Sequence, residues 1–333
     1  MSSRLGRGCL LVILATILLL ACSCVAIYLA LSPSASCRSP DTGPAQPGSA
    51  ARTLVSGGQE RCYRMYVPAS YDASQPLPLV ISLHGFASKP EGQERTTGWN
   101  VLADQEGFVV VSPQGTGFPL RWNADPVFQA GAVDDVQFIA DVIADVSEIA
   151  AIHPARIYVS GMSNGGAMAN RVGCELADQV AAIGTVAAVP LDMPNGCTPS
   201  RPIPLIAFHG TSDPLVRYEG SAAHAPAVRQ AMALSPTPLE HLPVETWIEG
   251  WAERNGCEDT PEAIPPTGDA SGIRYTGCKD GVEVILFTID GGGHTWPGGS
   301  PIPFLGKTSQ DIDATAALWA FFEAHPLEGD QDR

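Results

Sequence analysis

Basic residues are scarce in this chain: 19 Lys and Arg stand against 35 Asp and Glu, a formal net charge of -16 over 333 residues. Phosphate-rich partners would be repelled, so nucleic acid is excluded as a partner, and polyanionic substrates or charge-driven binding to an anionic membrane are disfavoured. Metal signatures are missing as well. None of the seven histidines lies in H-E-x-x-H, and no cysteine pair outside the N-terminal apolar segment has C-x-x-C spacing, so no metal is expected. There is no strand-GxxxxGK[ST]-helix context for phosphate binding, no internal repeat and no sign of a second domain. What is present is a chain 45% hydrophobic and only 16% charged, able to bury a large core and suited to a neutral or apolar ligand.

Charge is absent altogether from Cys9 to Leu31, 23 positions that follow Arg4 and Arg7. Such a run is enough apolar helix to cross a bilayer, and basic residues on its N-terminal side place the rest of the chain outside the cytoplasm. The sequence "LLAC" ending at Cys22 is like a lipoprotein cleavage site, but the run continues beyond it, which favours a retained anchor. Residues 1–31 are thus expected to be a signal or anchor segment and the only contact with the membrane. Residues 32–51, rich in Pro, Ser, Gly and Ala without large apolar side chains, are expected to be a linker. A single domain is expected over 52–326, with an acidic tail over 327–333. Six cysteines lie outside the apolar segment, which suits disulfides in an exported protein. They allow fifteen connectivities; closeness in the chain favours Cys174 with Cys197 and Cys257 with Cys278, leaving Cys62 to meet Cys37 or nothing.

Short apolar runs bounded by turn residues predict strands at Cys62 to Val67, Pro78 to Leu83, Gly107 to Ser112, Arg156 to Gly161, Pro202 to Phe208 and Val282 to Ile289. Helical periodicity lies between them. In "DDVQFIADVIADVSEIAA" the residues Val136, Ile139, Ile143, Val146 and Ala150 share a face, and Asp134 or Asp135 can cap the start. "SNGGAMANRVGCEL", "VETWIEGWAE" and "SQDIDATAALWAFFEA" read similarly, whereas Ala222 to Pro243 and Glu258 to Ser271 read as loops. Strands alternating with helices imply an α/β domain with a mainly parallel sheet flanked by helices.

In such sheets reactive groups gather beyond the carboxyl ends of the strands. Ser163 follows one predicted strand within "GMSNG", a G-x-S-x-G sequence whose glycines permit a sharp turn that exposes the hydroxyl. A serine needs a base, and His294 in "IDGGGHTWPGG" sits in a glycine-rich loop directly after another strand. Asp213 in "AFHGTSDPLV", just past a third strand, can hold the imidazole. The order Ser163, Asp213, His294 is the one α/β-hydrolases use. Donors for an oxyanion are expected from the main-chain N–H of Phe86, after "ISLHG", and of Asn164, with His84 orienting the loop. Trp122 is placed in a loop that would wall the substrate pocket.

These segments resemble the esterase PHB depolymerase group of secreted α/β-hydrolases, which includes polyhydroxybutyrate depolymerases and feruloyl esterases. "LHGFASKP", "VDDVQFI", "GMSNGGAMANR", "HGTSDPLVRYEG" and "GGGHTWPGG" carry the resemblance, which runs from about Arg61 to Phe322. It implies Ser163, Asp213 and His294 as the triad, Trp296 as an aromatic beside the acyl or aryl pocket, and a disulfide at Cys174 and Cys197. His84 and Trp122 are expected beside Trp296 among the substrate-binding residues. The Asp134 and Asp135 pair matches an acidic doublet opening a helix, read as capping. No additional substrate-binding or carbohydrate-binding module is visible beside the hydrolase segment.

The resulting expectation is an extracytoplasmic serine ester hydrolase, free of cofactors, acting on short polyester or feruloyl and aryl esters. A serine peptidase of the same fold and a non-catalytic tethered binder are the alternatives. Since an imidazole must be unprotonated to act as a base, activity is expected to be highest at neutral to mildly alkaline pH.

Overall fold

The computed structural model describes residues 16, 37, 40–124, 133–191, 197–220 and 241–327. Ten strands among these residues form one sheet: β1 (Gly48–Ser56), β2 (Gln59–Val67), β3 (Leu77–Leu83), β4 (Val109–Pro113), β5 (Ile152–Met162), β6 (Ala182–Val186), β7 (Leu205–Gly210), β8 (Glu262–Thr267), β9 (Ala270–Tyr275) and β10 (Val284–Ile289). Their spatial order is β1-β2-β4-β3-β5-β6-β7-β10-β9-β8. The six strands from β4 to β10 in that order are parallel, and β1, β2, β8 and β9 are antiparallel additions at the two edges.

Central strands read as continuous apolar runs because both their faces are covered. Leu79, Ile81 and Leu83 of β3 enter one core cluster while Val80 enters the other, and in β5 Ile157 and Val159 oppose Tyr158. The first cluster packs against α3 (Asp135–Ile149), α4 (Asn164–Glu175) and α5 (Val244–Asn255). The second packs against α2 (Trp99–Glu106) and α6 (Ala314–Ala324); α1 (Pro90–Thr97) precedes α2, with Gly98 between them in the left-handed conformation. The predicted face of α3 is buried as expected, and Asp134 caps the helix by accepting from the N–H groups of Val136 and Gln137.

Several expectations change. The linker does not extend to Ala51: Gly48–Ala51 pair with β2, and Ala45 is buried with its N–H donating to Ile149 O. Small residues hid this strand from a reading based on apolar bulk, since its pairing is made by the main chain. Glu258 to Ser271 is not all loop either, because it contains β8, whose prolines are compatible with an edge strand, and the start of β9. The pairs Cys37–Cys62, Cys174–Cys197 and Cys257–Cys278 are all bridged. The anchor segment, apart from Thr16, most of Ala222 to Pro243 and the tail after Leu327 lie outside the described residues. Among the described residues no helix is long and apolar enough to cross a membrane.

Candidate active site

Parallel register brings the relevant strand ends to one edge of the sheet. Leu83 of β3 lies opposite Gly161 of β5, Met162 opposite Val186, Val186 opposite Phe208, and Ile289 of β10 opposite Gly210 of β7. The segments carrying Phe86, Ser163, Asp213 and His294 leave from those ends.

Ser163 sits between β5 and α4 at φ 57° and ψ -121°, a positive-φ conformation that costs a non-glycine residue about 1–3 kcal/mol. Glycine flanks make the turn possible by letting main chains touch. A Cβ on Gly161 would lie 2.2 Å from Gly165 O, and one on Gly165 would lie 2.3 Å from Leu83 O. Ser163 N–H donates to Val186 O at 2.9 Å, which ties the turn to β6. Gly85 lies beside the serine at ordinary contact distance: a Cβ there would stand 3.4 Å from Ser163 Cβ and 4.0 Å from its Oγ.

Asp213 and His294 meet. His294 Nδ1 lies 2.7 Å from Asp213 Oδ2, both residues being buried. A carboxylate only accepts, so Nδ1 carries the proton and Nε2 is left as the basic nitrogen. The other oxygen, Oδ1, accepts from the N–H groups of Leu215 and Val216 at 2.8 Å each. Burial pushes the Asp213 carboxyl up, but the charges of His294 and His209 and the hydrogen bonds to it outweigh this and hold it below its ordinary value. The two loops interlock: Ser212 N–H donates to Gly292 O, Gly291 N–H to Thr211 Oγ1, and His294 N–H to Leu305 O at 2.7 Å.

His209 was not singled out by the sequence. Its Nε2 lies 2.8 Å from Val216 O and 3.6 Å from Asp213 Oδ2, so it closes the turn behind the carboxylate, and burial lowers its pKa. Four residues from Asp213 and at the end of a strand, it carried a signal that could have been used.

The turn after β3 holds Phe86, 47% exposed, between Gly85 and Ala87, with Ala87 N–H bonded to Leu120 O and Ser88 N–H to Gly85 O. Asn164 opens α4, so its main-chain N–H has no acceptor within that helix. His84, Trp122 and Trp296 are buried rather than open to the site. His84 Nε2 accepts from Gly115 N–H at 3.0 Å, which puts the proton on Nδ1, 2.8 Å from Gly85 O; burial pushes its pKa down to about 4 and keeps it neutral. The Trp122 indole donates to His84 O at 2.8 Å, and that of Trp296 to Thr315 Oγ1 at 2.9 Å. Their ring N–H groups are spent on the scaffold, so these residues belong to the buried framework around the site.

The acidic doublet divides its work. Asp134 caps, whereas Asp135 is fully buried, paired with Arg61 at 2.7 Å and accepting from Asn123 N–H at 2.8 Å. Its role is to anchor a loop, a long-range contact that spacing could not reveal. Among the described residues no group of three or more His, Cys, Asp or Glu is placed to hold a metal ion.

Known proteins are related to this chain in sequence or in fold. The family described as esterase PHB depolymerase matches residues 61–198. Feruloyl esterase B of Piromyces equi is 33% identical over 235 residues, covering 68% of this chain but only 41% of that enzyme. The Nocardia uniformis subsp. tsuyamanensis protein named "Putative esterase NocK" is 30% identical over 260 residues, 75% of this chain and 74% of its own length. An acetyl xylan esterase structure from Aspergillus awamori superposes with a TM-score of 0.55 at 14% identity, covering 82% of this chain and 98% of its own, which shows a shared fold.

Proposed function

Because the chain belongs to the esterase PHB depolymerase family, we propose that it hydrolyses carboxylic esters through an acyl-enzyme on Ser163. The observation that carries the reading is the buried 2.7 Å bond between His294 and Asp213 at the same sheet edge as the positive-φ turn of Ser163. Ser163 Oγ attacks the ester carbonyl as His294 Nε2 takes its proton, and Asp213 stabilises the imidazolium. Main-chain N–H groups of Phe86 and Asn164 hold the oxyanion. The carbon–oxygen bond to the alcohol breaks, and His294 returns the proton to the departing alkoxide. Water, deprotonated by His294, then releases the acid and restores Ser163. Every proton is accounted for within the triad, so the cycle needs no cofactor.

The substrate class is a feruloyl, aryl or short polyester, supported by the feruloyl esterase relative and by the low charge of the chain. Three disulfides support an oxidising, extracytoplasmic location. The test is pre-steady-state hydrolysis of p-nitrophenyl acetate by the full chain and its Ser163→Ala variant. A burst equal to the enzyme concentration that vanishes in the variant is the expected result. Equal slow hydrolysis by both proteins would remove Ser163 as nucleophile and favour a binding protein on the same fold.

A further inference from the structure

The segment from Gly115 to Ala124, which follows β4, supplies none of the groups assigned to bond making or breaking, yet it is fastened to both oxyanion arms. Trp122 is the meeting point. Its main-chain N–H donates to Oδ1 of Asn164 at 2.7 Å, and its C=O accepts from Nδ2 of the same carboxamide at 3.1 Å. Its indole N–H donates to His84 O at 2.8 Å, while Gly115 N–H reaches His84 Nε2 and Leu120 O receives Ala87 N–H. The following residue is gripped from beneath: Asn123 N–H donates to Asp135 Oδ2, and Asn123 O accepts from Arg171 Nη1, both at 2.8 Å.

Two donors on separate loops can stabilise an oxyanion only if their separation is held where the charge develops. The Phe86 N–H belongs to the turn after β3 and the Asn164 N–H to the start of α4. A brace between these elements is therefore a kinetic component as well as a structural one. The Asn164 side chain fits that task because it must donate to and accept from one peptide pair; a carboxylate cannot donate, and an aliphatic group does neither.

We propose that the carboxamide of Asn164, acting through Trp122, is a positioning group that sets the separation of the two oxyanion donors. This rests on the reading of Ser163 as nucleophile and of the Phe86 and Asn164 N–H groups as donors. A displacement on the order of 1 Å in such a site costs roughly a hundredfold in rate, which bounds the effect of losing the brace.

The experiment uses the full chain and its Asn164→Ala, Asn164→Asp and Trp122→Phe variants. It measures kcat and KM on p-nitrophenyl acetate, inhibition by phenylboronic acid as a tetrahedral mimic, and thermal unfolding. For Asn164→Ala we expect kcat to fall by about tenfold to a hundredfold while KM stays within about twofold, and boronate affinity to fall in proportion to kcat/KM. Asn164→Asp falls at least as far, since it loses the donor and sets a negative charge beside the oxyanion. Trp122→Phe, which keeps the carboxamide bonds, loses only a few-fold, and the Asn164→Ala/Trp122→Phe double variant loses less than the product of the singles. Should Asn164→Ala not fold, Asn164→Asp and Trp122→Phe decide the matter. Asn164 variants within about twofold of the parent kcat would overturn the proposal, as would a kcat loss not matched by weaker boronate binding. Full turnover by Ser163→Ala is a separate failure, read in a different variant, and would remove the nucleophile itself.

Discussion

At the end of β5 the Ser163 side chain is placed by close main-chain packing of its turn; at the ends of β7 and β10 the Asp213 and His294 side chains are aimed by hydrogen bonds as well. Around the serine, main chains approach so closely that a single methyl group on Gly161 or Gly165 would fall about 2.2–2.3 Å from a carbonyl oxygen. Around the acid and base, one carboxylate receives three close hydrogen bonds, from Leu215, Val216 and His294. Glycine contacts join those loops too, since a Cβ on Gly210 would lie 2.3 Å from Gly292 O and one on Gly293 2.1 Å from Leu305 O, but the carboxylate and the imidazole themselves are aimed by hydrogen bonds. Sterics fix position without regard to pH and tolerate no added carbon. Polar contacts tolerate an isostere in shape yet fail when a donor is exchanged for an acceptor.

The largest expected effect breaks the polar side alone. Asp213→Asn keeps the volume but presents an amide that cannot stabilise the imidazolium and can turn its NH2 toward His294, so kcat at pH 8 should fall by about 10⁴-fold. The unfolding temperature should change little. A loss of only tenfold would show that Asp213 merely fills space. On the steric side, Gly165→Ala sets a methyl group against Leu83 O and His84 O. Overpacking of this kind costs about 3 kcal/mol, or about 5 °C in unfolding temperature for a domain of this size. Near-normal stability in a melting experiment would mean that the turn relaxes readily and that its geometry is not fixed by contact.

Acid should separate the two regions further. Burial pushes His84 from 6.5 down to about 4, and it lowers His209 in the same direction. The unfolded chain binds protons that these imidazoles refuse, so their contribution to stability is full above about pH 6.5 and is lost as pH falls below it, for His84 down to about 4. For His84 this is at most about 3 kcal/mol. Asp213, held below its ordinary 3.8, acts in a lower window: its contribution is present above that value and disappears beneath it. Urea midpoints at pH 7.5, 5.5 and 4.5 should therefore decline in the parent and decline less in His84→Gln. Identical slopes would show that His84 titrates as it would in water.

Much of the steric side was legible in the sequence, because glycine spacing and strand ends are local. Ser163, Asp213 and His294 each follow a predicted strand directly, and the six strands expected correspond to β2, β3, β4, β5, β7 and β10. The missed elements had no local period to read. β6 is a uniformly buried five-residue run, AIGTV, in which Gly184 and Thr185 interrupt the apolar bulk, β1 opens on small residues, and α1 buries Pro90, Gln93 and Thr97 instead of an apolar stripe. The bracing polar contacts were less legible, since the Asn164 carboxamide reaches Trp122 and Asp135 reaches Arg61 across long stretches of chain. Pattern reading marked the residues proposed to carry chemistry; it could not find those that brace them.

The smallest expected effect calibrates the comparison, because it changes stability without touching either region. Asp134, exposed at the start of α3, accepts from Val136 and Gln137 N–H groups at 3.1 Å each. Asp134→Ala leaves both donors to water and should cost about 1 kcal/mol, or about 2 °C in unfolding temperature. Asp135, next in the chain, keeps its bonds to Arg61 and Asn123, so the loop beneath the site stays anchored and kcat should remain within about twofold of the parent. A modest stability loss would then be shown not to lower turnover, and the large kcat losses expected at Asp213 would belong to chemistry. If Asp134→Ala lowers kcat by tenfold or more at a temperature far below unfolding, α3 transmits to the site through Asp135, and the polar scaffold reaches further than the loops after β7 and β10.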